Sequence, residues 1–274
     1  MKRKFWKIAA LVVAVILIVG LAWFANALNG NPISKHIAKN RAEKYIAEQY
    51  PGTDFELERV SYNFKDGNYH AYIVSPGSID THFTLSISMV GKVYWDTYEN
   101  VTEKFNTAMR LEDEYRDLVD TVLYSADFPY VSDIGYGTMA IYPPEALTDR
   151  ERNDIPDYAM DQSLLVVDGE YDIRELAAQC GHLVIYVESE TITVEEAAQI
   201  LRTLDAVFAQ KNVPYAGIDL VLWMPKTEDG PREDVQIDVA HFRREWIGEE
   251  DLVDRVRDAD TARKAWYAEQ DKLK

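Results

Sequence analysis

Ser61-Tyr62-Asn63-Phe64-Lys65-Asp66-Gly67-Asn68-Tyr69-His70-Ala71-Tyr72-Ile73 decides the first fold of this chain. Val60, Tyr62 and Phe64 alternate with polar residues, and Tyr69, Ala71 and Ile73 resume the alternation. Between them Asp66-Gly67 supplies the positive-φ pair of a two-residue hairpin turn. This register sets Phe64 opposite Tyr69, Tyr62 opposite Ala71 and Val60 opposite Ile73 on a buried side, with Asn63, His70 and Tyr72 on the other. A second hairpin follows, in which Phe83, Leu85, Ile87 and Met89 alternate with Thr84, Ser86 and Ser88, turn near Gly91 and return through Val93 to Tyr98. A two-residue turn there sends Trp95 to the face of Tyr72, and a three-residue turn sends Tyr94. Upstream, Asn31-Pro32 is a helix start, Ile33, Ile37, Ala38, Ala42, Tyr45 and Ile46 recur at helical spacing, and Pro51-Gly52 ends the pattern. Residues 31–100 are thus expected to form one helix on a four-stranded antiparallel meander with one wet face, an α+β plan.

The helical period returns at Val101. Phe105, Met109, Tyr115, Leu118, Val119, Val122 and Leu123 share a stripe, giving a linking helix over 101–126 closed by Asp127-Phe128-Pro129. A second α+β sandwich domain is expected over 127–274, with a strand near 138–142, a short helix over 172–179 stopped by Gly181, and a strand over 183–187. Thr193-Val194-Glu195-Glu196 is a capping box opening a helix with Val194, Ala197, Leu201, Leu204 and Phe208 inward. After Pro214, the strand Ile218, Leu220, Leu222, Met224, a polar loop with Pro225, Gly230 and Pro231, and the strand Val235, Ile237, Val239 complete half of a ferredoxin-like or related sandwich. The charged stretch 249–274 reads as a surface helix.

The amino terminus gives an address. Lys2, Arg3, Lys4 and Lys7 precede an uninterrupted apolar run of 18 residues, 8–25. As a helix rising ~1.5 Å per residue, that run reaches ~27 Å, close to the hydrocarbon thickness of a bilayer. Residues 1–30 are therefore expected to be a membrane anchor contacting the lipid bilayer through 8–28, with Trp6 and Trp23 near its ends. The alternative is a signal peptide cleaved at Ala25-Asn26-Ala27. Basic residues before the span stay cytoplasmic, so both outcomes place the bulk outside, the first as a single-pass plasma-membrane protein.

All 47 acidic residues follow residue 30 while 4 of the 29 basic residues precede it, leaving the exported portion at −22. That charge repels phosphate backbones and argues against nucleic acid as a partner. The single Cys180 forms no internal disulfide, so the folds rest on their apolar cores.

The segments Asn31-Pro32-Ile33-Ser34-Lys35, Ala42-Glu43-Lys44-Tyr45, Ser61-Tyr62-Asn63-Phe64-Lys65-Asp66-Gly67, Asp80-Thr81-His82-Phe83 and Phe128-Pro129-Tyr130 carry a resemblance. In these stretches the chain resembles the YfjL-like family of membrane-anchored, uncharacterised proteins from Gram-positive bacteria. The resemblance implies an N-terminal membrane helix and two domains, and no activity. At fold level the first domain is also similar to PepSY and cystatin-like modules, which bind or inhibit rather than catalyse.

Chemistry-bearing residues are few. His70, Asp80 and His82 are weak candidates for a metal site, since two imidazoles and a carboxylate could hold zinc but no further strong ligand is evident. Asp149, Glu151, Asp154, Asp157 and Asp161 form an acidic segment without the ligand spacing and central glycine of a helix-loop-helix calcium site. Cys180 pairs with Leu176 at helical spacing and reads as a buried thiol. Gly-x-Ser-x-Gly, His-Glu-x-x-His, phosphate-loop and dinucleotide-loop patterns are absent from the sequence, and no cofactor is implied. Two functional expectations follow. The first is a membrane-tethered module that binds an extracytoplasmic protein or peptide through the sheet face of Asn63, His70, Tyr72, Thr84 and Ser86. The second is a metal-dependent or hydrolytic enzyme built on His70, Asp80 and His82 or on the acidic segment.

Overall fold

The computed structural model describes residues 2–225 and 235–272, without the side chains of 2–5, 8, 9, 22, 23, 25 and 26, and falls into two compact units, Met1–Asn106 and Thr107–Lys274. The expected loop residues Gly230 and Pro231 lie outside the described residues, as does the side chain of Trp23.

The first unit opens with α1 (Lys2–Asn29) and α2 (Pro32–Gln49). The described side chains of α1 are exposed except half-buried Ala27 and, from position 10 to 21, contain no polar group. Among the described residues no helix is long and apolar enough to cross a membrane. Asn31 caps α2 as expected, its side chain accepting from the Ser34 amide at 2.7 Å. The buried stripe of α2 is Ser34, Ala38, Ala42 and Ile46. Ile33 and Ile37, expected on that stripe, are exposed, because the helix lies on the sheet through small residues that admit close approach.

Four strands follow: β1 (Glu56–Asn63), β2 (Asn68–Val74), β3 (His82–Ile87) and β4 (Val93–Asp96), paired in that order. All three pairings are antiparallel. The meander is as expected, but the first register is not. Asn63 faces Asn68, Tyr62 faces Tyr69 and Val60 faces Ala71, so the loop holds Phe64, Lys65, Asp66 and Gly67. A two-residue turn of the expected type needs positive φ at both central positions, and only Gly67, at +72°, has it. The longer loop is closed by the Gly67 amide on the Asn63 carbonyl at 2.9 Å and by the Asn63 and Asp66 side chains accepting from Lys65 and Asn68. Phe64 is consequently 61 % exposed rather than core. The shift is by an even number of positions, so Val60, Tyr69, Ala71 and Ile73 keep the buried face, joined by Phe83, Leu85 and Ile87.

The expected single helix over 101–126 is two: α3 (Glu99–Thr102) and α4 (Phe105–Leu123). Lys104 separates them at φ +64°, a conformation that no helix continues through. Leu111, Tyr115, Val119 and Val122 are the buried stripe of α4, whereas Phe105 and Met109 are exposed.

The second unit contains β5 (Gly135–Met139), β6 (Ile141–Tyr142), α5 (Pro144–Leu147), β7 (Met160–Asp161), α6 (Ile173–Cys180), β8 (Gly181–Glu188), α7 (Val194–Gln210), β9 (Gly217–Trp223), β10 (Gln236–Arg243) and α8 (Leu252–Gln270). Asp172 caps α6 and Thr193 caps α7, as their sequences require. The main sheet runs β10-β9-β8-β5, with β8 and β9 adjacent and parallel. This differs from the ferredoxin-like expectation, in which the return strand would lie between the two strands that flank the helix. Here β10 takes the outer side of β9 instead. Leu183, Ile185, Val187, Ile218, Leu220, Leu222 and Val239 line one face of this sheet in a core shared with α7 residues Leu201, Leu204 and Phe208.

Urea unfolding of the full chain in detergent checks the corrected register. Leu85→Ala is expected to cost about 2–5 kcal/mol, as for a core cavity, while Phe64→Ala stays within about 0.5 kcal/mol. Equal losses would restore Phe64 to the core.

Candidate functional site

Alternation on the first sheet brings the expected binding residues to one face. Across the strands, Ser61, His70, Ser86 and Trp95 form one row, and Arg59, Tyr72 and Thr84 the next. Trp95 therefore takes the face of Tyr72, and its ring meets His70 edge-on at 5.8 Å between centroids. The Arg59 guanidinium lies 4.0 Å from the centre of the Tyr72 ring, a cation–π contact. Trp95 is 46 % exposed, and Asn63, His70, Tyr72 and Thr84 are half-buried. Ser86, between His70 and Trp95 in the row, is fully buried, and its hydroxyl makes no hydrogen bond.

The weak metal candidates do not converge. His70 Nε2 is 2.8 Å from Asp66 Oδ2, within its own hairpin. His82 pairs with Val74, four positions along β2 from His70, or ~13 Å at strand spacing. Asp80 is buried, and its carbonyl and that of His82 accept from the Asn106 side chain at 2.9 and 2.7 Å. No group of three metal-ligating side chains occurs among the described residues.

A 370 Å³ groove opens between α2 and β1. Leu57, Val60 and Pro32 supply apolar surface, and Lys35, His36, Lys39, Glu58 and Arg59 the charged and polar rim. Because β1 is the outermost strand, one side of its backbone faces this opening rather than another strand.

The second unit holds a buried polar cluster that the sequence reading missed. Leu183 and Ile185 face the core, so the preceding His182 of β8 points to the opposite face, as does Asp219 of β9 between Ile218 and Leu220. His182 Nε2 lies 3.2 Å from Asp219 Oδ1, and its Nδ1 2.5 Å from the Tyr158 hydroxyl. Burial raises the Tyr158 pKa, with the Asp219 and Asp157 charges adding to it, so the phenol keeps its proton. It donates to Nδ1, which leaves Nε2 as the donor to Asp219. A β-bulge in β10 puts Ala240 and His241 opposite Asp219, and His241 sits at φ +52°. That left-handed backbone costs about 1–3 kcal/mol for a residue other than glycine. It is held by the His241 amide donating to Asp219 Oδ1 at 2.6 Å. Burial alone would raise the Asp219 pKa, but the hydrogen bonds from His182 and from the His241 amide bring it below the ordinary carboxylate value. Burial lowers the His241 pKa, against the opposing pull of Asp219 and Asp154.

Two members of the acidic segment bind arginines and a third caps a turn. Asp154 accepts from Arg263 at 2.6 Å, Asp157 takes a fork of three bonds from Arg243 at 2.7–3.1 Å, and Asp161 caps the turn at Ser163. Cys180 is buried against Leu176 and Met139, and burial pushes its thiol up to about 12. What the second-unit cluster can do is fix protons and geometry, since each partner is already engaged. Its sequence signal was a polar residue breaking each of two apolar strands, at His182 and Asp219.

Comparison with known families matches residues 5–97 to the YfjL-like, N-terminal domain and residues 114–257 to the YfjL-like C-terminal domain. No curated protein and no solved structure matches the chain.

His241 gives a pH signature. Its folded pKa lies below the unfolded value of about 6.5, so the unfolded chain binds the extra proton and stability falls as pH drops below about 6.5. Asp219, also lowered, adds a second loss only under more acid conditions, as pH falls below the ordinary carboxylate value toward its folded pKa. His241→Asn keeps a residue that tolerates the left-handed backbone and removes the titration. Melting curves from pH 7.5 to 5 are expected to decline less steeply for the variant than for the natural chain, and parallel declines would refute the assignment.

Proposed function

The chain belongs to the YfjL-like family, and from that premise we propose that it is a membrane-tethered module whose first unit captures a protein or peptide outside the cytoplasm. Two features of the sequence support the tether: the basic cluster at Lys2, Arg3, Lys4 and Lys7, and the uncharged 18-residue run after it. The same reading makes the bilayer the partner of residues 8–28 and sets the chain in the single membrane of a Gram-positive envelope, as the family resemblance implies. Joining the tether to the sheet, the Tyr62 hydroxyl of β1 donates to the Ala27 carbonyl near the end of α1 at 3.1 Å.

One observation carries the capture reading. Trp95 is half exposed beside His70, over a row whose Ser86 hydroxyl is buried with no partner. Buried polar groups are nearly always bonded, and large aromatics at the edge of such a row are frequent anchors of interfaces. Tyr72, held by Arg59, extends the aromatic surface along the next row.

In intact cells stripped of wall, external protease is expected to digest the portion after Leu28 while that portion sediments with membranes beforehand. Protection would reverse the orientation, and recovery of the bulk in the medium would show cleavage. Separately, Trp95→Ala and Tyr72→Ala are expected to cost far less stability than Leu85→Ala, yet to remove the adducts formed by a photoactivatable residue at Thr84. Stability losses matching that of Leu85→Ala would make this face a structural support instead.

A further inference from the structure

Resting on the capture reading, we infer that the groove between α2 and β1 takes an acidic, extended peptide, which adds to the sheet as a strand beyond β1. The argument begins with the edge. β1 is eight residues long and pairs with β2 on one side only, so alternate amides and carbonyls on its other side are turned toward the groove. An extended segment laid there satisfies those groups by ladder bonds, which supply affinity without reading sequence. Its side chains then alternate, one set turned under α2 and the other toward the face of Tyr72.

Under the helix the surface is apolar: Leu57 and Val60 face the core side of the sheet, opposite Ile73 and Ala71, and Pro32 closes the end nearest the start of α2. The groove volume of about 370 Å³ accommodates two or three side chains rather than a folded partner. The bulge between Leu57 and Arg59 and the charges of Glu56, Glu58 and Arg59 guard the strand against indiscriminate pairing.

Charge selects the peptide. Lys35 and Lys39 rim the groove from the helix, and Glu58 and Arg59 from the strand, where the Arg59 guanidinium is turned to the Tyr72 ring. Lys35 makes no ion pair among the described residues. The pairs Lys39–Glu43 at 3.9 Å and Arg59–Glu58 at 4.0 Å are long, solvent-exposed contacts that bind their partners weakly. The first unit is also the less acidic of the two: residues 31–106 carry 8 basic and 10 acidic side chains, and 107–274 carry 17 and 37. In so acidic a chain, two lysines beside an apolar floor and an open strand edge suit a partner whose apolar side chains alternate with carboxylates. His36, hydrogen-bonded to Asn40, adds a further donor on the same helix face.

The test uses the full chain in nanodiscs of zwitterionic lipid and a fluorescent hexapeptide alternating valine with glutamate. Binding is expected to be at least tenfold tighter than for the valine–lysine hexapeptide. Alternate N-methylation, which removes the ladder donors, should abolish it. Lys35→Glu with Lys39→Glu, both exposed and so tolerated by the fold, should lower affinity for the glutamate peptide at least tenfold and raise it for the lysine peptide. Equal binding of both hexapeptides, binding that survives N-methylation, or displacement of the peptide by self-association of the chain or by phosphatidylglycerol vesicles would each overturn the inference. If the adducts at Thr84 form normally while the hexapeptide fails, the inference falls and the capture reading stands. If the hexapeptide binds while those adducts are absent, the sheet-face site falls instead.

Discussion

A single buried hydroxyl organises the first unit. Tyr69 of β2 is almost fully buried, and its oxygen accepts from the Asn31 amide at 2.7 Å while donating to the Asn31 carbonyl at 2.9 Å. Asn31 is also the cap of α2, so one phenol fixes where the helix starts and how it lies on the sheet. Close approach is possible only because Gly30 precedes it: a side chain there would meet the Tyr69 oxygen at 2.5 Å, and its φ of +68° suits glycine. The stripe Ala38, Ala42, Ile46 then falls on Ala71, Ile73 and Leu85 in one core. The groove beside β1 lies between that pinned helix and the outermost strand of the sheet.

In the second unit the comparable constraint is the bulge in β10. Inserting a residue beside Asp219 breaks the ladder and leaves the His241 amide to the carboxylate, so a backbone irregularity and a buried charge stabilise one another. Around them Arg263 neutralises Asp154, Lys264 pairs with Asp260, and Asp260 accepts from the Asp238 amide at 3.0 Å. Such a network is costly to build and specific once built, because removing one member leaves another charge buried without its partner. It offers rigidity to the sheet that carries it.

The two units thus differ in what they leave open. The second spends its charges on internal pairs and its histidines on fixed protons. The first leaves an aromatic row and an uncovered strand edge, which is why the capture reading is built on the smaller and less acidic part of the chain.

Elements whose cause is local were legible in the sequence. Asn31, Asp172 and Thr193 cap helices because a side-chain oxygen within three residues reaches free amides, and the core faces of β2 and β3 follow from alternation. The facing of Asn63, His70, Tyr72, Thr84 and Ser86 followed from the same rule, and it survived an incorrect turn because the slip was even, although Ser86, expected to be exposed, is fully buried. Turn length, the break at Lys104 and the order of β8, β9 and β10 were decided by the tertiary structure, since each depends on which backbone conformation distant packing rewards. The meeting of Tyr158, His182, Asp219 and His241 belongs to the same class. Their sequence separation runs from 158 to 241, and nothing in the spacing of four polar residues states which strands will become neighbours or where a ladder will bulge.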